Sequence, residues 1–300
     1  MKLEGVININ KPADWTSQDV CAKLRGRLQI KKIGHTGTLD PMATGVLPVC
    51  IGNACKIIEY YDLDHKCYHA TMQLGLETDT LDITGEILSK NDFSSVGIED
   101  VYKAFEAYKG NISQIPPKYS AVRINGQRAY DLARQGIDVD IKPREITIFN
   151  NKITSMNLNE GIIEFDVECS KGTYIRTMID DIGRELGCGA TMTALVRTSS
   201  GMFKLCNAVD FFKLLEMSDE EIAAKTMPAD DTINHTGVVT VREEKYRFVT
   251  HGNEILSKDY KVSKDSEFDN AYRIYCKDEF IGIGTIKNRV LKPIKVVIEQ

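Results

Sequence analysis

No stretch of this sequence approaches the ~20 consecutive apolar residues that a membrane-spanning helix requires. The opening segment, MKLEGVININKP, lacks the charged start, apolar middle and small-residue cleavage site of a secretion signal, so a cytoplasmic protein with no membrane partner is expected. CxxC pairs are also missing. The eight cysteines are scattered from Cys21 to Cys276, and the nearest two, Cys50 and Cys55, have no His/Cys cluster at zinc spacing around them. Free, packed thiols are therefore expected rather than a disulfide framework or a metal site. Nor is there a GxxxxGKS or GxxxxGKT loop, a GxGxxG turn, an HExxH or a GxSxG. Nucleotide hydrolysis, dinucleotide redox chemistry, zinc proteolysis and the common serine-hydrolase route lack their parts, and no cofactor is expected.

What is present is ordinary globular composition, 42% hydrophobic and 27% charged over 300 residues, which is chain enough for about two packed domains. A net charge of −5 argues by itself against a polyanionic partner, but the charge is segregated: residues 1–61 carry +3, 62–108 carry −7, 109–152 carry +4, 209–236 carry −5 and 237–300 carry +2. Such blocks fit either a groove for a polyanion or solvated faces of mixed sign.

The element pattern is α+β. Gly5–Asn10 reads as a strand, followed by a helix capped at Thr16 or Ser17 with Val20, Leu24 and Leu28 on its apolar face and Lys23, Arg25, Arg27, Lys31 and Lys32 on its other faces and end. Tyr68–Leu74 alternates as a strand does, and DFSSVGIEDVYKAFEAYKG predicts a helix after a serine cap, ending at Gly110. Residues 112–145 hold three prolines and an Asn125–Gly126 turn and look inserted. GIIEFDVECSKGTYIRTMIDDIGRELGCG gives a strand, a turn and a helix, with Tyr174 and Arg176 two apart on an apparent strand end and hence on one face. A polar link near 232–236 precedes short β-like runs over 237–300.

The densest punctuation is GHTGTLDPMATGVLPVCIG, residues 34–52, where four glycines and two prolines surround His35 and Asp40. Asp40 before Pro41 is biased away from the helical region, which fits both a carboxylate presented for chemistry and a turn residue capping its own loop. His35 likewise fits a ligand-facing or a structural histidine. A lone carboxylate can act as nucleophile or base if it stays ionised, and an arginine, of which Arg176 is the best candidate, would keep it so. A glycosidase would ordinarily need a second flanking carboxylate, for which Asp79 and Asp82 are available, although an acidic turn explains them better.

Five blocks, residues 5–17 (GVININKPADWTS), 34–52, 66–85 (KCYHATMQLGLETDTLDITG), 114–136 (QIPPKYSAVRINGQRAYDLARQG) and 169–198 (CSKGTYIRTMIDDIGRELGCGATMTALVRT), resemble in order the signature blocks of TruB-type tRNA pseudouridine synthases. The resemblance covers about residues 4–200 and weakens after Ser200, where 237–300 resembles a small PUA-like RNA-binding domain. It implies a pseudouridine synthase fold: a mixed, mainly antiparallel sheet flanked by helices, with a thumb insertion at about 112–145, in a catalytic domain spanning 1–232, followed by the PUA-like β domain at 237–300. It implies an enzyme that flips a uridine out of the T-loop of tRNA and isomerises it at position 55. Asp40 matches the catalytic aspartate and His35 the histidine that helps hold the nucleotide out. Tyr68 matches the tyrosine stacked on the base, Tyr174 and Arg176 a substrate-contacting tyrosine and the arginine paired with the aspartate, and Leu195 an apolar base contact. Lys118, Arg123, Arg128 and Arg134, with Tyr130, fall in the thumb and are RNA-backbone candidates. Asn8 and Asn10 depart from the family's apolar strand without touching the chemistry. The expected partner is the T-arm of tRNA and the expected state a monomer. The alternative from another class is a protein that binds or folds the tRNA elbow with little or no catalysis.

Overall fold

The computed structural model describes residues 3–61, 65–120, 122–124, 126–137, 140–266 and 268–298. Its contacts divide the chain into two compact units, one made of 1–41, 46–62 and 201–300, the other of 42–45 and 63–200.

In the first unit, β1 (Gly5–Lys11) is buried except at Asn10. It leads to α1 (Ser17–Leu28), whose cap is Thr16: its hydroxyl accepts from the Asp19 N–H at 3.0 Å, and Asp19 accepts in return from the Thr16 N–H at 3.0 Å. The Thr16 hydroxyl, which donates to the Asp19 carboxylate at 2.6 Å, and then the Thr16 N–H hold the Asp19 carboxyl below its ordinary pKa. Val20 and Leu24 are buried, with Leu28 partly so, against Ile7, Ile9, Leu47, Val49, Ile51, Phe211 and Leu214. β2 (Ile33–His35) and β3 (Thr44–Ile51) form an antiparallel hairpin, with His35 opposite Val49. The amide nitrogen of the polar Asn8 inside β1 donates to the Lys204 carbonyl at 2.9 Å.

Residues 237–298 of this unit form a six-stranded sheet in the order 255–256, 290–296, 279–287, 271–276, 237–241, 260–264. It is built around an apolar cluster of its own that includes Val239, Val241, Val249, Ile274, Ile281 and Leu291. The two-residue turns Lys277–Asp278 and Asn288–Arg289 have positive φ at both positions, the mirror-image geometry that matches strand twist in a hairpin. The expected polar link is instead a packed 3-10 turn, Asp230–Ile233, with Thr232, Ile233 and Thr236 buried. Tyr275 donates to the Asp230 carboxylate at 2.8 Å and Lys264 to the Asn234 carbonyl at 2.6 Å, so side chains from the sheet meet polar groups of this turn.

The second unit is a mainly antiparallel sheet. β4 (Lys66–Leu74) lies between β12 (Ala190–Ser200) and β11 (Ile162–Cys169), and β11 is followed outward by β10 (Arg144–Asn157) and β7 (Gly110–Gln114). Thr44 and Gly45 run parallel to Val196 and Arg197. A Cβ on Gly45 would lie 2.3 Å from the Arg197 carbonyl oxygen, so only glycine permits this approach. Alternation puts Ala70, Met72, Ile163, Phe165 and Val167 inward, where α2 (Ile98–Ala107) meets them through the edge-on contact of Phe105 with Phe165. α2 begins not at a serine but at Gly97, whose N–H donates to Asp100 at 3.1 Å, because Ser94 is engaged in a turn with Asp92. α4 (Ile175–Glu185) buries Met178, Ile179 and Ile182.

All eight cysteines are free thiols. Burial pushes Cys21 up to about 11 and Cys50 and Cys169 up to about 12, so these remain protonated at neutral pH. Cys206 is exposed. Titration of the native protein with an aromatic disulfide reagent at pH 8 is expected to give one fast equivalent, abolished by Cys206→Ser, slower reaction at the half-buried Cys55 and Cys67, and reaction of the five buried thiols only on unfolding.

Candidate active site

The Asp40 turn, between β2 and β3, is pinned on both sides by the segment that joins β1 to α1. Before it, the buried Leu39 N–H donates to Ser17 Oγ at 2.9 Å. After it, the Pro41 carbonyl accepts from the Asp14 N–H and from Lys11 Nζ, both at 2.9 Å. Lys11 is fully buried, and its ammonium also donates to the carbonyls of Pro12 at 2.8 Å and Trp15 at 2.5 Å. An ammonium has three protons, and three carbonyls take them, which is what makes its burial tolerable. It also sets a fixed positive charge at the carbonyl of Pro41, the residue next to the half-buried Asp40. His35 is half-buried at the end of β2.

In the second unit, Tyr68 on β4 is paired opposite Arg197 on β12, and Ala70 opposite Leu195. Directly paired residues share a face, so Tyr68, Leu195 and the fully buried Arg197 lie on one side of the sheet. Tyr174 and Arg176 are not on a strand end. Tyr174 is the extended cap residue of α4, and Arg176 lies in the helix's first turn, so helical spacing and not strand alternation sets their directions. Arg176 is 5% exposed, and its guanidinium donates to the Thr80 carbonyl at 2.9 Å and the Tyr119 carbonyl at 3.0 Å, with Asp82 Oδ2 at 3.6 Å. Asp82, equally buried, accepts at its other oxygen from the Thr80 hydroxyl (2.9 Å), the Thr84 N–H (3.0 Å) and the Thr84 hydroxyl (2.5 Å). Backbone bonds between Ile83 and Met192 and between Met192 and Leu81 fasten this loop to β12. Asp79 accepts from the Tyr119 hydroxyl at 3.2 Å; burial, then the nearby Asp79 charge, pushes that hydroxyl's pKa up.

Asp82 of the acidic turn read at Asp79 and Asp82 is thus a buried support for Arg176. Periodicity and spacing gave no sign of this, because its partners are backbone carbonyls. Lys11 and Arg197, both wholly buried, were equally invisible as such. Lys118, Arg123 and Arg134 are exposed, Arg134 lies over the Tyr130 ring at 5.6 Å, and Arg123 lines an open cleft of about 520 Å³ with Gln127, Asp131 and Gln135. Asn125 and the side chain of Arg128 lie outside the described residues. Among the described residues no group of three or more His, Cys, Asp or Glu is arranged to hold a metal, and no helix is long and apolar enough to cross a membrane.

Residues 25–175 match the family model for the N-terminal domain of TruB family pseudouridylate synthases, and residues 176–234 match that for the C-terminal domain of tRNA pseudouridylate synthase B. The chain belongs to the TruB family. The sequence resembles tRNA pseudouridine synthase B of Clostridium tetani at 40% identity, covering 99% of this chain and 100% of that protein. It also resembles the enzyme of Clostridioides difficile at 40% identity, covering 94% of each. Among solved structures, a chain of a Cbf5-Nop10-Gar1 complex aligns over 98% of this chain and 85% of its own at a TM-score of 0.75 and 25% identity. A chain of the archaeal box H/ACA sRNP Nop10-Cbf5 complex aligns at 0.73 and 24% identity, covering 98% and 86%, a likeness of fold. The TruB fold expected from the sequence is therefore the one observed: a large mixed sheet, flanking helices and a C-terminal β sheet.

Two substitutions test the supports. Lys11→Met takes the ammonium from the carbonyls of Pro12 and Trp15, while Pro41 keeps the Asp14 N–H; at about 1–3 kcal/mol for each unsatisfied buried group it should lower the melting temperature by several degrees. Asp82→Asn keeps the shape but removes the charge facing Arg176; a drop of about tenfold or more in turnover, with little change in melting temperature, is expected from kinetic and thermal assays.

Proposed function

We propose that this chain isomerises uridine to pseudouridine at position 55 in the T-loop of tRNA. In that reaction the C1′–N1 bond breaks, the uracil turns, a C1′–C5 bond forms, the proton on C5 leaves and one is gained at N1. The balance is an isomerisation, with no oxidant or phosphoryl donor. A uridine in the tRNA elbow must first be flipped out, at a cost of a few kcal/mol, and base–aromatic stacking worth roughly 1–3 kcal/mol offsets it. Tyr68 is given the stacking role, His35 the vacated space, Tyr174 and Leu195 contacts to the substrate, and Arg176 the counter-charge of the catalytic acid.

The observation that carries the reading is Asp40, a single half-buried carboxylate on a turn held from both sides, within a chain that resembles tRNA pseudouridine synthase B along nearly its whole length. The preorganised turn supplies a nucleophile or base whose position needs no further ordering when substrate arrives. Residues 112–145 serve as a thumb on the RNA, with Lys118, Arg123 and Arg134 exposed for phosphate contacts, and 1–232 and 237–300 serve as the catalytic and PUA-like domains of a cytoplasmic monomer.

Asp40→Asn decides between catalysis and mere binding of the tRNA elbow. Pseudouridine formation, mapped with carbodiimide in a T-arm RNA, should vanish while affinity stays within about tenfold, or ~1.4 kcal/mol. Product from the variant would sink the assignment. Replacing Lys118, Arg123 and Arg134 together by Ala should reduce the slope of log affinity against log salt by about 2–3, since each phosphate contact contributes roughly one.

A further inference from the structure

The Tyr174 backbone is held by a side chain rather than by a neighbouring strand. Gln114, 3% exposed, accepts at Oε1 from the Tyr174 N–H at 2.8 Å and donates from Nε2 to the Tyr174 carbonyl at 3.0 Å. Its amide thereby makes with Tyr174 both bonds that a paired peptide group would make. Tyr174 needs such a partner, because it caps α4 in extended geometry (φ −106°, ψ 107°) with no capping bond from its own side chain. Two further bonds continue the seam: the Thr177 hydroxyl donates to the Ile115 carbonyl at 3.4 Å, and Arg176 donates to the Tyr119 carbonyl at 3.0 Å. The segment 114–119 therefore runs along the first turn of α4 and touches Tyr174 through Gln114, Thr177 through Ile115 and Arg176 through Tyr119.

Gln114 also stands where the inserted segment leaves and rejoins the sheet. It is the last residue of β7, and its register partner on β10 is Arg144, so the two ends of 112–145 meet at this pair. Beyond it, the insertion has a small apolar cluster of Val122, Ala129 and Ile141, against which Ile124 and Tyr174 itself are packed. So small a cluster gives little stability by itself, and Tyr174 at the α4 turn is part of what it packs against. A change in how the insertion is seated must reach Tyr174 and Arg176 through Gln114 and the carbonyls behind it.

We propose that Gln114 is a positioning residue: with segment 114–119 it fixes the first turn of α4, aims Tyr174 and Arg176, and makes seating of the RNA-gripping thumb a condition for fast chemistry. This rests on the reading above in which those two residues meet the substrate. Gln114 itself touches no reacting atom.

The test uses the full chain with Gln114→Ala and Gln114→Glu. The glutamate keeps the length and still accepts from the Tyr174 N–H, but as a carboxylate it cannot donate to the Tyr174 carbonyl. Single-turnover pseudouridine formation at saturating enzyme is measured on a tRNA transcript, affinity for the same transcript is measured with each change placed in the Asp40→Asn background, and melting temperatures are recorded. The expected result is a fall of at least tenfold in the saturated rate for both variants, with affinity within threefold of the parent and melting within a few degrees. A saturated rate within twofold of the parent overturns the proposal. So does a loss of rate that only follows loss of affinity, or a failure of both variants to fold, since each makes Gln114 a structural residue. If Asp40→Asn alone still forms pseudouridine, the functional reading fails; if it is inactive while the Gln114 variants keep full rate, only this inference fails.

Discussion

A buried ammonium sets the geometry of the Asp40 turn. Lys11 sits at the end of a strand of otherwise core character and spends all three of its protons on carbonyls from three places in the chain, Pro12, Trp15 and Pro41. A charge cannot be taken out of water without such compensation, so the three carbonyls and the cation define one another's positions. Ser17 completes the arrangement at Leu39, and the acid between these two anchors has little freedom left. The mobility a loop ordinarily has is removed here by hydrogen bonds to the first helix and the strand before it.

Arg176 is restrained by a different device. Its partners are the carbonyls of Thr80 and Tyr119 and the buried Asp82 carboxylate, itself saturated by threonine donors. The helix start that carries it is held in turn by Gln114. A guanidinium suits this role because its planar fork can meet several acceptors at once and stays charged whatever surrounds it.

Strand β1, the capped helix α1, the alternating β4 and the α4 helix were legible in the sequence, since each depends on local periodicity and caps. The loop bearing Asp40 was legible as punctuation, through its glycines and prolines, and the TruB resemblance named its residues. What escaped reading depends on long-range partners. Tyr174 and Arg176 looked like a strand end because KGTYIRT has no capping serine or aspartate at the helix start; the residue that caps it, Tyr174, is held by Gln114 from 60 residues away. The supposed serine cap of α2 failed because Ser94 found a nearer carboxylate in Asp92. Asp82 read only as part of an acidic turn, since its burial is created when its loop is sewn to β12.

These two supports differ in how much chain must be gathered to make them. The bonds that fix the Asp40 turn close separations of 22 and 30 residues and lie wholly within the first 41 positions, so they can form while most of the polypeptide is still unorganised. Those that hold Arg176 span 57 and 96 residues and wait for a sheet whose strands come from distant parts of the chain. Closure entropy grows slowly with span, but non-local pairing has to be complete before it is rewarded. The acid's cradle thus asks for shorter chain closures than the guanidinium's, whose bonds draw together strands from distant parts of the sequence.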